Sequence, residues 1–446
     1  MGEAAPRTLT PSAGRSVRER ISIGSRGCRL ARVVVSALTA TQAAEASGQR
    51  AVAFPRMATT GLHAPITMSY ARARLFLGAS AVGTIVVIAA LAIAIDAPGR
   101  ALPSQPVGFA LELAWLAAIA AVHGALMAPF DLFGGWLLPR EYGRSRERLG
   151  AFLWRWWRGA GLFGVGLVGS GAVMLIASRW FGAVGTLGAF LLLALVLLEL
   201  QPRVAALTGA GRLLPRKAKA TATTSGGDGV VLLAVARHVT GGAFGMPGRT
   251  RWVTPRHWLD AADAVALSAQ GLRRAWIQHS GARDRGVLLA VGWNMVAILA
   301  GLAVYGPPAT VADVARFALI MTLWAFVGLL VLPTPSRWGV YRADLAALAA
   351  GVERERLAAG LRQLERDQDD ELERSNGVET VFHPVPAVAH RIAVMRGQRA
   401  PGPASLAAWH AARTALVLSW AGMGLLGRAV HCNVGRPEVW VLLPSD

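Results

Sequence analysis

The chain has 446 residues, long enough for two or three soluble domains, but 54% of them are hydrophobic and only 16% charged. Its mean hydropathy of +0.42 excludes disorder and an ordinary soluble enzyme. Basic residues number 46 against 26 acidic ones, a net charge of +20, and only Lys217 and Lys219 are lysine. Two cysteines, Cys28 and Cys432, exclude a disulfide scaffold or a cysteine-rich zinc module. The class expected is an integral membrane protein with a basic side.

Residues 1–74 carry eleven Arg against three Glu, with much Ser, Ala and Thr and no long apolar run. Such a segment resembles an organelle transit peptide. It reads equally as an extension ahead of a start at Met57 or Met68, because MSYARARLFLGAS is a normal lead into a first span. No function attaches to it or to Cys28.

A span needs about 20 mostly apolar residues, since backbone groups in lipid must pair within their own helix. Six stretches qualify: Leu75–Ile95, Val107–Met127, Gly159–Ala177, Phe181–Leu200, Val287–Val304 and Phe317–Leu332, the last extending back to Val314. Thr414–Leu426 has only 13 residues, so it is expected to pack on the protein or at the interface. The basic connections, 1–74, 128–158 and 201–219, all fall on one side of this pattern. The connections at 96–106 and 305–313 are neutral or acidic. The positive-inside rule makes the basic side cytoplasmic and puts both termini inside. The location expected is a bacterial inner membrane, with anionic lipid headgroups as partners of the arginines and no nucleic acid.

Between the spans lie two cytoplasmic pieces, 201–285 and 333–446. In the first, GRLLPRKAKATATTSGGDG reads as a polar linker. VVLLAVARHV and TRWVTP then read as strands around a Gly-rich turn, TGGAFGMPGR, and His257–His279 as a helix. In the second, YRADLAALAAGVERERLAAGLRQLERDQDDELE has the three-and-four spacing of an amphipathic helix or helix pair. The fold class is therefore mainly α: four spans over 75–200, two over 286–332, and a cytoplasmic α+β domain split by the last two spans.

Chemistry-bearing patterns are sparse. There is no H-E-x-x-H, no cysteine pair at ligand spacing and no G-x-S-x-G. His257, Asp260 and Asp263 share a helix start, where solvated charge is the simpler reading. The glycines of TGGAFGMPGR serve a turn. Glu112 and His123, eleven residues apart, share a helix face within the bilayer and could serve a transport or proton role. Asn294 reads as helix-packing glue. Glycines 159, 164 and 169, with 161, 166 and 171, recur at intervals of five and predict close helix packing. The C-terminal GRAVHCNVGRPEVWVLLPSD contains His431 and Cys432, too few ligands for a metal, and a strand-like VWVLL.

The order of the cytoplasmic parts carries a resemblance. SRWGVYRADLAAL is similar to the S-R-x-x-E-[YF]-x-A-D signature of integral-membrane zinc metalloproteases, the heat-shock membrane protease and CAAX-prenyl-protease superfamily. Ser336, Arg337, Tyr341, Ala343 and Asp344 match it. FHPVPAVAHRI resembles that family's H-P-x-x-x-x-R-I through His383, Pro384 and Arg391, with two extra residues. Upstream, residues 238–285 resemble its hairpin and zinc helix, so the resemblance covers about 160 residues, 230–392.

The resemblance implies a gluzincin domain that binds zinc, but the motif positions hold the wrong atoms. Gly271, Leu272 and Ala275 stand where the two histidines and catalytic glutamate belong, and Val340 replaces the third ligand. Gly, Ala and Val have no donor atoms, and Arg273 and Arg274 would repel a dication. His279 has neither a neighbouring Glu nor a His four residues away. The function expected is a pseudoprotease without zinc, binding membrane-protein clients or regulating an active protease. The alternatives are a small-solute or proton-coupled transporter, or an active metalloprotease with a non-standard site.

Overall fold

The computed structural model describes residues 68–214, 229–259, 264–370, 374–377, 379, 383–419 and 434–441. Cys28, Met57, Lys217, Lys219, Asp260, Asp263, His431 and Cys432 lie outside these. Among the described residues, five helices are long and apolar enough to cross a membrane. They are α1 (Tyr70–Ala94), α2 (Phe109–Leu132, prolonged by a π-turn at Phe133–Leu137), α3 (Leu149–Thr208), α5 (Ala282–Tyr305) and α6 (Val311–Val331), with α4 (Ala264–His279) preceding the fourth of them. Large apolar side chains such as Val87, Val122, Val165, Leu192, Leu288 and Val304 project outward from them. A soluble protein would bury these; a lipid-facing surface has no need to.

The 60-residue α3 is not straight. At Gly182 the backbone takes φ 58° and ψ −136°, a region closed to residues with a Cβ. The chain reverses there: Arg158 lies against Gly209, and Leu162 and Phe163 line the same cavity as Leu197 and Val204. A continuous helix would hold Arg158 and Gly209 more than about 70 Å apart at 1.5 Å per residue. The sequence runs Gly159–Ala177 and Phe181–Leu200 are the two arms of this hairpin. Exposed Trp154 and Trp157 mark one end of the first arm, and Trp180 the other, as amphipathic indole rings do at the two faces of a bilayer.

The small sheet runs β1-β2-β4-β3, where β1 is Gly211–Leu213, β2 Gly229–Ala234, β3 Gly242–Phe244 and β4 Arg251–Pro255. This revises the expected hairpin. β2, from VVLLA, pairs with β4 in parallel, and the antiparallel partner across the Gly-rich turn is the short β3. Gly241, Gly245 and Gly248 all have positive φ, so the turn is tight enough to fold GAF back on RWVTP.

The piece after the last long apolar helix forms α7 (Pro333–Ala349), α8 (Arg354–Asp367) and α9 (Val388–Met395), the helix pair expected and one more. The short α10 (Ala411–Leu418) is not at the periphery. Leu416 and Val417 pack with Val82, Ile85, Met127 and Leu329. Ala412, Ala415 and Leu418 pack with Leu198, Val287 and Ala290. Asn294 Nδ2 donates to the Ala415 carbonyl at 2.9 Å and to that of Ala290 at 3.1 Å, so it does join helices.

Residues 434–441 are buried throughout. Arg74 donates to the Gly134 carbonyl at 2.8 Å and the Val434 carbonyl at 3.1 Å, and the Gly435 amide donates to Asp131 at 3.1 Å. Gln201 Nε2 donates to the Val441 carbonyl at 2.8 Å. Of the VWVLL run expected as a strand, only residues 439–441 are described; Val439 ends a 3-10 turn over Pro437–Val439, and Val439 and Val441 pack beneath the sheet. The glycine pattern of the third span also needs revision. Gly159 is closed by Pro437, but a Cβ at Gly161, Gly164 or Gly169 would meet no described atom within 4 Å.

Gly182→Ala should therefore destabilise the detergent-solubilised protein by about 1–3 kcal/mol through backbone strain. Gly188→Ala, in the second arm with open space around it, should be near neutral. Equal midpoints for both variants in thermal unfolding would contradict the reversal.

Candidate functional site

The centre of the part outside the long apolar helices is the packing of α4 on α7. Buried positions of α4 include Ala269, Arg273 and Ile277, one helical turn apart and on one stripe. Ala269 shares an apolar cluster with Ala347 of α7, and Ile277 shares another with Val340 and Ala343. Between them, Arg273 Nε donates to Asp344 Oδ1 at 2.8 Å. Arg391, from α9, closes the other side, with Nε to Oδ2 at 2.8 Å and Nη2 to Oδ1 at 2.7 Å. All three side chains are at most 2% exposed. One buried carboxylate thus joins three helices.

The neighbouring Arg274 is also buried. Its Nη1 donates to Thr254 Oγ1 at 2.7 Å, and its guanidinium lies 4.9 Å from the Trp252 ring and 5.3 Å from the Trp258 ring, a cation–π arrangement. Trp252, Ile277, Val340 and Trp409 make up the apolar cluster beside it. Gly271 is buried and Ala275 half-buried on the flank of α4, and Leu272 is exposed. The one-turn pair on the stripe facing α7 is therefore Arg273 and Ile277. None of Arg273, Ile277 and Val340 offers a donor pair to zinc, so these residues do not fit that ion. Among the described residues, no three His, Cys, Asp or Glu side chains form a group able to hold a metal.

Ser336 and Arg337, from the S-R-x-x-x-Y-x-A-D pattern, bond to backbone of neighbouring segments. Ser336 Oγ donates to the Leu332 carbonyl at 2.8 Å and accepts from the Ala412 amide at 3.0 Å, tying α7 to α10. Arg337 donates to the Glu379 carbonyl at 2.5 Å and to Thr334 at 3.1 Å, and burial lowers its pKa. The Tyr341 hydroxyl donates to Glu379 at 3.4 Å; burial, and then the Glu379 charge, push that phenol up. Glu379 also accepts from the Ala387 amide at 3.0 Å and contacts His390. His383 and Pro384 precede α9, with His383 buried.

Glu379 escapes a reading of the sequence, where it is one acid in a short loop. Glu365 escapes it too. It sits beneath α9, accepts from the Val388 amide at 2.9 Å, and lies 3.7 Å from Arg374. Burial and the Asp370 charge push it up to about 8 from its ordinary 4.5. Near the first arm of α3, Glu438 goes the other way. Burial opposes its charge, yet His238 at 3.1 Å and Arg155 at 2.6 Å hold it down to about 2.

Glu112 and His123 are not brought together. Glu112, 1% exposed, takes both terminal nitrogens of Arg179 at 2.5 and 2.9 Å and the Val107 amide at 3.1 Å. His123 stacks on Phe163, 6.3 Å between ring centroids. His257 lies in a short helical turn, Arg256–Leu259; its expected neighbours Asp260 and Asp263 fall outside the described residues. No protein-family profile and no curated protein sequence matches the chain.

Two outcomes follow from the charges. Asp344→Ala strands two buried guanidinium groups and should cost about 3–5 kcal/mol, whereas R273M/D344L/R391M, lacking all three charges, should recover most of it. Unfolding midpoints of the three proteins check this, and a triple variant no better than Asp344→Ala contradicts it. The raised Glu365 pKa means that the folded chain holds more protons than the unfolded one between about pH 4.5 and 8. Its contribution to stability therefore falls as pH rises across that window. Glu365→Gln should raise the midpoint at pH 8 relative to wild type and leave it unchanged at pH 4; a gain of equal size at both would contradict the assignment.

Proposed function

We propose that the chain crosses the membrane six times and presents a zinc-free, catalytically silent relative of the membrane metalloprotease domain on its basic side. Six crossings follow if the two arms of α3 count separately. The distribution of charge supports this. Arg155, Arg158, Arg436 and Glu438 gather where α3 starts and ends. Among the described residues, the opposite ends carry Arg100 and the pairs Arg179 with Glu112, Arg316 with Asp96 at 2.8 Å and Arg316 with Asp313 at 2.9 Å, where acid and base nearly balance.

The observation that carries the reading is the α7-facing stripe of α4. In a gluzincin the two histidines of the zinc helix sit one turn apart and face the third ligand. Here that geometry singles out Arg273 and Ile277 opposite Val340, with Arg274 at the place of the catalytic glutamate. This register is two residues on from the one the motif alignment suggests, Gly271 to Ala275. In both registers the ligands are missing. In the facing register a salt bridge to Asp344 and a tryptophan-lined apolar cluster stand in their place.

A domain of this shape without hydrolytic groups retains the capacity to bind. Its partners would be membrane-protein segments presented at the bilayer surface, or an active protease that it regulates. The transporter reading has less support, because Glu112 is paired with Arg179 and lies apart from His123, which stacks on Phe163.

Protein purified in detergent, dialysed against zinc and then desalted, should retain no stoichiometric metal and should leave casein intact. One tightly held zinc per chain together with chelator-sensitive cleavage would refute the proposal.

A further inference from the structure

Where the sheet, the second arm of α3, the start of α5 and α10 meet, a small cavity is enclosed by polar side chains of one character. Its polar lining is Gln201, Arg283, Trp409, His410 and Thr414, and among the described residues no carboxylate lines it. Arg283 is 5% exposed. Its Nη2 donates to the Gly245 carbonyl at 2.6 Å and its Nη1 to Thr250 Oγ1 at 3.3 Å, both neutral. The carboxylate that faces it, Asp284, is 3.9 Å away. A buried guanidinium with so distant a counter-charge favours an anion beside it.

Trp409 supplies an independent observation. It is 4% exposed, and its indole N–H is a buried donor without a hydrogen-bond acceptor among the described residues. Buried donors in folded proteins nearly always have an acceptor, so an orphan on a cavity wall points to something that belongs there. The positive end of α10 adds to this, since His410 and Thr414 lie one turn apart at its start. His410 is held at φ 56°, a backbone region that non-glycine residues enter rarely, and strain of this kind gathers at binding sites. The cavity has room for about two or three waters, the size of one small oxyanion.

We propose that this cavity binds a single phosphate group, held by the Arg283 guanidinium, the Trp409 indole N–H and the Thr414 hydroxyl. Its place at the junction of the apolar helices and the cytoplasmic sheet suits the phosphodiester of an anionic lipid or free phosphate. The site does not depend on the protease-like reading, since none of its ligands is among the residues that carry that resemblance.

The test uses full-length protein and two probes. Inorganic phosphate is titrated in detergent against chloride at matched ionic strength. Nanodiscs of phosphatidylglycerol are compared with nanodiscs of phosphatidylcholine. Thermal midpoints are read for wild type, Trp409→Phe, which keeps the ring and removes the donor, and Thr414→Val. The expected result is a rise in midpoint with phosphate or with phosphatidylglycerol, and an apparent affinity about tenfold weaker in Trp409→Phe, the loss of one charge-assisted hydrogen bond. Sensitivity confined to the nanodiscs assigns the headgroup, and sensitivity to the salt assigns the free ion. If Trp409→Phe does not fold, Thr414→Val carries the same comparison. No shift with either probe, or equal shifts in wild type and variants, would overturn the site.

Discussion

The carboxylate of Asp344 fixes the part of this protein outside the long apolar helices. It is buried and bonded to Arg273 of α4 and Arg391 of α9, while its own helix, α7, runs between them. A charged group removed from water costs several kcal/mol unless partners surround it, and each of these three charges depends on the other two. The network therefore allows little sliding. Once Arg273 faces Asp344, Ile277 must lie near Val340 and Ala269 near Ala347. The stripe of α4 on which a metal site could be built is then set by packing.

The same constraint reaches the membrane part through the chain that follows α9. The Trp409 amide donates to the Ala282 carbonyl at 3.0 Å and the Ala408 amide to that of Pro335 at 3.0 Å. Gly286 and Gly339 leave no room for a side chain beside Trp409, so this strap is pressed between the starts of α5 and α7. From there α10 enters the helix bundle, and residues 434–441 bind α1, α2, α3 and the sheet. A segment near the C-terminus thus joins the two halves, and its backbone groups are satisfied by Ser336, Asn294, Asp131, Arg74 and Gln201.

Much of this was legible in the sequence where the signal is local. Runs of about 20 apolar residues marked every long helix, including both arms of α3, because lipid imposes one composition along a whole span. The small sheet was located but mispaired, since a choice between parallel and antiparallel partners depends on where the chain returns. The thirteen-residue run at Thr414 was too short to announce that its first half fills the centre of the bundle. Glu379, Glu365 and Trp409 matter through contacts with residues distant in sequence, so nothing near them gives them away. The motif positions around Gly271 lie on α4, but Gly271, Leu272 and Ala275 are not the residues that meet Val340 and Asp344; Arg273 and Ile277 are. Letters without ligands cannot say which side of α4 meets α7; the salt bridge to Asp344 does.

The most direct measurement is the zinc content of a chain with ligands introduced on the facing stripe. R273H/R274E/I277H/V340E, purified in detergent and desalted after exposure to zinc, should hold about one equivalent of metal. The control G271H/L272E/A275H/V340E, built in the alternative register, should hold none. A folded first variant that binds no zinc, or binding by the control instead, would contradict the proposal that the α4–α7 contact has the geometry of a zinc site.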